Sequence, residues 1–235
     1  MRKLKITAPG CDNLPAWLFK KCSVELADVV AKLLSKSYAV GKVYANYWKL
    51  AVVTPVPKIA KPTSFSDFRP ILVTPILSRV AEKILVNKWV FPAIPTNAIR
   101  DQFAFRTTGS TTCALVNLLH HVGCMLETNN YVRCLTIDFS KAFDVVNHSV
   151  LLRKVSALEL PDSVHNWVVS FLIGRRQINV LLTGCVLPIF RGIIQGSGVG
   201  PTFYIILKSD LNPLSANNVL SKYADDLNLL VPHRG

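Results

Sequence analysis

The chain has 235 residues, half of them hydrophobic, which is enough apolar material for a sizeable core in one or two domains. No run of eighteen uncharged apolar residues marks a membrane span, and Met1-Arg2-Lys3-Leu4-Lys5 lacks the apolar run of a signal peptide, so an intracellular protein is expected. The net charge of +13 is uneven: residues 1–100 hold sixteen Lys/Arg against five Asp/Glu, residues 101–235 eleven against nine, an asymmetry suited to a polyanion held near an acidic site. Six cysteines without a C-x-x-C pair argue against a zinc or disulfide framework and for buried free thiols. His120 and His121 have no nearby ligand pattern and read as helix-surface or core residues.

In chain order, residues 8–21 are turn-rich, with Pro15 suited to the first turn of a helix. Apolar residues at Val24, Leu26, Ala27, Val30, Ala31, Leu33 and Leu34 predict a helix with one buried face, broken by Gly41. Trp48 to Val56 is β-rich, with Pro55 and Pro57 marking its end or an edge position. A basic loop from Lys58 to Arg69-Pro70 returns to the strand Ile71-Leu72-Val73. Lys58 and Arg69 are candidates for gripping phosphate there, against the plainer reading of a solvated hairpin tip. Residues 78–90 predict a helix with Val80, Ile84, Leu85 and Val86 inward and Arg79, Glu82 and Lys83 outward, stopped by Pro92 and Pro95.

A boundary is placed near residues 92–100, dividing a basic part, 1–95, from a part spanning 96–235, with 175–190 returning towards the first. The segment Phe103–Ser110, with Arg106, offers amides and a guanidinium to phosphate ahead of a helix from about Thr111 carrying Leu115, Leu118, Leu119, Val122 and Met125. Tyr131 to Ile137 is the strongest predicted strand. Helices follow over about 149–157 and 162–173, the second stopped by Gly174. A strand over 175–180 and the Gly-rich loop 191–201 come next, the loop ahead of a helix over Thr202–Leu211.

The chemistry gathers on three carboxylates. Val219 to Val231 reads as two short strands joined by a tight turn, with Asp225 and Asp226 at the tip. Adjacent aspartates repel unless a cation lies between them, although Asp-Asp is also an ordinary solvated turn. Asp138 ends the strand 131–137, where an ionised side chain on a buried strand needs a partner or a metal. Two antiparallel strands in one sheet would set it beside Asp225.

Taken together, Ala8-Pro9-Gly10, Phe68-Arg69-Pro70, Asp138-Phe139-Ser140-Lys141-Ala142-Phe143-Asp144, Gln195-Gly196-Ser197 and Tyr223-Ala224-Asp225-Asp226, in that order, resemble the reverse transcriptase domain of non-LTR (LINE-type) retrotransposons. The resemblance implies an α+β, right-hand fingers–palm fold. Its small antiparallel palm sheet would be backed by the helices around 112–126 and 149–173, the thumb being absent because the chain stops shortly after Asp226. It implies an RNA-directed DNA polymerase for retrotransposition, acting on an RNA template, a DNA primer and deoxynucleotides. Two Mg²⁺ ions, replaceable by Mn²⁺, would serve Asp138, Asp225 and Asp226 as catalytic residues. Asp138, Asp225 and the Phe139 carbonyl are the implied direct ligands. The same resemblance makes Phe143 the sugar gate and assigns nucleotide contacts to Lys58, Arg69, Gln195 and Gly196, with Tyr223 as the turn aromatic.

The family's usual proline before Gln195 is Ile194 here, and Gly198 stands where larger apolar residues are usual, so a loosened nucleotide loop is expected. Two other readings remain: a catalytically inactive nucleic-acid-binding remnant, and an RNA-copying RNA polymerase, against which Phe143 argues.

Overall fold

The computed structural model describes residues 1–43, 46–179 and 184–233. In order, its elements are α1 (Ala16–Lys21), α2 (Ala27–Val40), β1 (Leu50–Pro57), β2 (Phe68–Val73), α3 (Ile76–Leu85), α4 (Thr111–Leu126) and β3 (Tyr131–Ile137). After these come α5 (His148–Ser156), α6 (Asp162–Leu172), β4 (Arg176–Asn179), β5 (Val186–Pro188), α7 (Gly200–Leu207), β6 (Val219–Tyr223) and β7 (Asp226–His233). Val180, in the strand expected over 175–180, lies outside the described residues, as do Leu181, Leu182 and Thr183 of the 175–190 return. Among the described residues no helix is long and apolar enough to cross a membrane.

The chain forms two compact units, Met1–Ala93 with Phe143–Gly200 and Ile94–Ala142 with Pro201–Gly235. The first break falls inside the expected 92–100 window. The rest of the partition differs from a contiguous 1–95 and 96–235, because all of 143–200 returns to the first unit, not only 175–190. Parallel pairing of β4 with β1 accounts for much of this return: it requires a long crossover, which α5 and α6 supply.

In the first unit the sheet order is β2-β1-β4-β5. β1 and β2 form an antiparallel hairpin from Val52↔Val73 to Pro57↔Phe68, and among the described residues β4 pairs with Leu50–Val53 of β1. Helix α2 ends at Gly41, whose φ of 65° lets its amide close back on the Ser37 and Tyr38 carbonyls. Across from α2, Trp167 of α6 is fully buried, donates its indole N–H to Ser37 Oγ at 2.9 Å and stacks on Phe171. Tyr38 donates to the Ala81 carbonyl of α3 at 2.8 Å. Its hydroxyl is pushed above the ordinary tyrosine range by burial first and the Glu82 charge second.

Helix α3 continues as a π-helical turn over Val86–Val90, so the expected 78–90 helix is present, but its faces are revised. Glu82, expected to point outward, is fully buried, and Ile84 is exposed. An apolar-period count assigns any charged residue to the solvent face. It misses one whose bonding partners arrive from another part of the chain.

In the second unit the sheet order is β3-β7-β6, all antiparallel. Ser110 caps α4 by accepting from the Cys113 amide at 3.0 Å. Two expectations are corrected here. β3 is a largely exposed edge strand, not a buried one: among the described residues it pairs on one side only, with β7. Helices α5 and α6 group with the first unit, where α6 packs on α2. The cysteines are free as expected but not buried: Cys113, Cys124, Cys134 and Cys185 are exposed, the first three lying on α4 and β3.

Candidate active site

Strand direction brings the carboxylates of the second unit to one end of the sheet. Ile137 pairs with Leu227 in the antiparallel β3–β7 register, so the chain leaves β3 at Asp138 where it enters β7 after the turn. That turn is a two-residue hairpin loop, Ala224-Asp225, closed by the Tyr223↔Asp226 pair. Asp225 thus sits at the tip, whereas Asp226, expected there too, is the first residue of β7 and exposed. Ala224 has φ 56°, a left-handed conformation that tight hairpins require but alanine rarely adopts.

Tyr204 of α7 reports on the charges at this end. Its buried phenol is pushed up to about 12, by burial first and then by the charges of Asp225 and Asp138. The fields of these two carboxylates therefore converge on one phenol, and Asp226 is not among the causes. Lys208, one turn further along, places its ammonium 3.1 Å from the Phe139 ring centroid.

The donors suit a hard cation. Among the described residues no group of three or more His, Cys, Asp or Glu side chains could hold an ion. Two carboxylates are nevertheless what Mg²⁺ takes from a protein when substrate phosphates complete its shell. The Phe139 carbonyl accepts one bond, from the Ala142 amide at 3.2 Å, and a carbonyl oxygen has a second lone pair.

The first unit holds the Gln-Gly loop. Gln195 donates its side-chain amide to Asp144 Oδ1 at 2.8 Å, and its carbonyl accepts from the Leu72 amide of β2 at 3.1 Å. Gly196 has φ 108°, a backbone conformation that favours glycine, and a Cβ there would sit tightly against the Leu72 carbonyl at 3.0 Å. Ser197 accepts from the Gly200 amide at 3.0 Å. Glu82 accepts from the Gly198 amide at 2.6 Å and from Ser78 Oγ at 2.7 Å. Burial raises the Glu82 carboxyl, opposed first by the charge of Arg175, a residue itself buried and bonded to the Phe171 and Trp48 carbonyls. Gly198 therefore does not loosen the loop; its missing side chain lets the backbone approach α3 and be held there.

A family model for reverse transcriptase (RNA-dependent DNA polymerase) matches residues 59–234. The chain belongs to the reverse transcriptase family. It is 29% identical over 235 residues to the RNA-directed DNA polymerase from mobile element jockey of Drosophila melanogaster, a match covering 95% of this chain and 25% of that protein. It is 32% identical over 228 residues to a 115 kDa protein in the type-1 retrotransposable element R1DM of the same organism, covering 95% and 22%. The chain thus spans about a quarter of the length of the curated relatives it matches. These relatives bear out the non-LTR resemblance. Apo telomerase from Candida tropicalis truncated from its C-terminal domain shares the fold at a TM-score of 0.56 and 14% identity, over 89% of this chain and 49% of that one. Telomerase from Candida albicans in complex with a TWJ fragment of telomeric RNA does so at 0.57 and 14%, over 93% and 42%.

In this reverse transcriptase chain, Asp138, Phe139, Tyr223, Asp225 and Asp226 fall in one unit and Lys58, Arg69, Phe143, Gln195 and Gly196 in the other. Lys58 donates its ammonium to the Ser66 carbonyl at 2.7 Å and so ties its own hairpin tip, while Arg69 is exposed on β2. Arg106, offered as a phosphate contact, instead donates to the Ile99 and Gln102 carbonyls. The half-buried Phe143 anchors the loop through its carbonyl, which accepts from Ile193 at 2.7 Å.

Sequence reasoning missed Glu82, Arg175, Tyr204, Gln102 and Lys222. Ser78 and Glu82, four residues apart on a helix, carry a local signal. The contacts of Glu82 with Gly198, of Arg175 with Trp48 and of Gln102 with Ala224 are made across long stretches of chain.

Proposed function

We propose that this chain is the polymerase portion of a mobile-element RNA-directed DNA polymerase, extending a DNA primer on an RNA template with deoxynucleotides and Mg²⁺. The observation that carries this reading is the convergence of the Asp138 and Asp225 charges at the shared end of β3 and the β6–β7 hairpin, in a chain of the reverse transcriptase family. In the terms of that family the second unit is the palm, and the first carries the fingers and the nucleotide loop.

Asp138 and Asp225, with the Phe139 carbonyl, would hold Mg²⁺. When bound, the metal lowers the pKa of the primer hydroxyl and neutralises charge on the triphosphate. The primer 3′-oxygen bonds to the α-phosphorus, the α–β bond breaks, pyrophosphate leaves and the hydroxyl proton passes to water. Asp226, exposed at the start of β7, is not a first choice as ligand. Arg69 is the better placed of the two basic candidates for the triphosphate, because the Lys58 ammonium already serves the Ser66 carbonyl. The Phe143 ring would exclude a ribose 2′-hydroxyl. Gln195, held by Asp144, would present its remaining amide capacity to the incoming nucleotide.

Primer extension on a poly(A)–oligo(dT) hybrid with Mg²⁺ tests the reading. Asp138→Asn and Asp225→Asn are each expected to lower the rate by at least about a hundredfold, the order that follows from losing several kcal/mol of charge stabilisation. Extension unchanged in Asp225→Asn would overturn the site. A folded parent protein that binds RNA but extends no primer would favour the nucleic-acid-binding remnant.

A further inference from the structure

The turn that carries Asp225 is gripped from outside its own hairpin. The segment 101–104 runs beside β6, with a parallel bridge between Gln102 and Lys222. Its backbone bonds are reciprocal: the Lys222 amide donates to the Asp101 carbonyl at 2.8 Å, and the Phe103 amide to the Lys222 carbonyl at 2.9 Å. Lys222, 1% exposed, donates its ammonium to Asp101 Oδ2 at 2.9 Å and to the Lys208 carbonyl at 3.2 Å.

From this pinned segment the side chain of Gln102, also 1% exposed, reaches the turn. Its Oε1 accepts from the Ala224 amide at 3.1 Å and from the Ala104 amide at 2.9 Å. Both partners are donors, so the side-chain oxygen, not the nitrogen, must face them. Its Nε2 is buried with no hydrogen-bond partner among the described residues. A buried amide that leaves its own donor unpaired is costly to keep, and core packing alone would be served better by leucine or methionine. What Gln102 supplies in return is an acceptor for the one residue of the turn whose backbone is left-handed, Ala224 at φ 56°. Asp225 follows directly, so the direction of its carboxylate depends on that conformation.

We propose that Gln102 is a positioning residue for the metal-binding turn: its buried carbonyl holds Ala224 in the left-handed conformation that aims Asp225. This rests on the reading of Asp138 and Asp225 as metal carboxylates. Gln102 itself touches neither substrate nor metal.

The test is Mn²⁺ binding to the full chain, followed by the electron paramagnetic resonance of free Mn²⁺, with circular dichroism as the check on folding. Gln102→Met keeps the volume and removes the acceptor. It is expected to weaken Mn²⁺ binding about tenfold, the fold-change that corresponds to the cost of a left-handed alanine no longer held. Ala224→Gly removes that cost, and in the Gln102→Met background it is expected to restore affinity to within about threefold of the parent. A purely structural role for Gln102 predicts no such rescue, since glycine adds no packing. Should Gln102→Met fold incompletely, Gln102→Asn, which withdraws the amide by one methylene, carries the same expectation. Mn²⁺ binding that depends on Asp225 yet is unchanged in the Gln102 variants would overturn the proposal alone, as would loss without rescue by Ala224→Gly. A parent protein with no Asp225-dependent Mn²⁺ binding would overturn the metal-site reading and this proposal with it.

Discussion

Replacing Glu82 by alanine should destabilise the first unit more than an ordinary helix substitution does. The side chain is fully buried and accepts from the Gly198 amide at 2.6 Å and Ser78 Oγ at 2.7 Å, both of which would lose their acceptor. Each buried donor left unpaired costs about 1–3 kcal/mol. Arg175, 1% exposed, would also lose the negative charge that opposes its desolvation. Two buried donors left unpaired set the expectation for Glu82→Ala at about 2–6 kcal/mol. For a unit of this size it corresponds to a melting temperature lower by roughly 4–24 °C. Urea denaturation followed by circular dichroism gives the free energy. Hydrogen exchange at Gly198 locates the effect, because its amide should lose protection while those of β1 change little.

A double variant separates charge from packing. Glu82→Met with Arg175→Met removes both ions, and it should be less destabilised than the sum of the two single changes by at least about 1 kcal/mol. A Glu82→Ala cost below about 1 kcal/mol would refute the view that Glu82 anchors the Gln-Gly loop.

Stability should also depend on pH through the same residue. Burial raises the Glu82 carboxyl above its ordinary value of 4.5, so the folded state holds its proton longer than the unfolded chain does. Its contribution is therefore complete below 4.5 and is lost as pH rises through the elevated value; urea midpoints should show this decline, and Glu82→Gln should flatten it. Phe143→Ala should lower the preference for deoxynucleotides over ribonucleotides about tenfold or more in single-nucleotide incorporation, since a steric gate is removed. No gain of ribonucleotide use would sink the sugar-gate assignment and reopen the case for an RNA-copying enzyme.

Much of the local structure was legible in the sequence because its signals are local. A run rich in apolar and β-branched residues marked Tyr131–Ile137, which is β3 to the residue. The Gly41 stop, the helix after Ser110 and the hairpin at Tyr223–Asp226 follow from capping and turn chemistry that act within a few residues. The order of Asp138, Gln195-Gly196 and Asp225 was enough to place the chain in its family.

Tertiary structure decided the rest. Parallel pairing of β4 with β1 carried residues 143–200 into the first unit, and α5 and α6 went with them, although their amphipathic pattern alone fits either unit. The exposure of β3 is set by which neighbours cover it, and an apolar strand looks the same whether it is central or at an edge. Glu82 and Gln102 are ordinary polar residues in the linear chain. They become anchors because Gly198, 116 residues away, and Ala224, 122 residues away, bring backbone amides to them in the folded protein. A buried polar side chain is stable only with such partners, and the linear sequence does not show which distant amide will arrive.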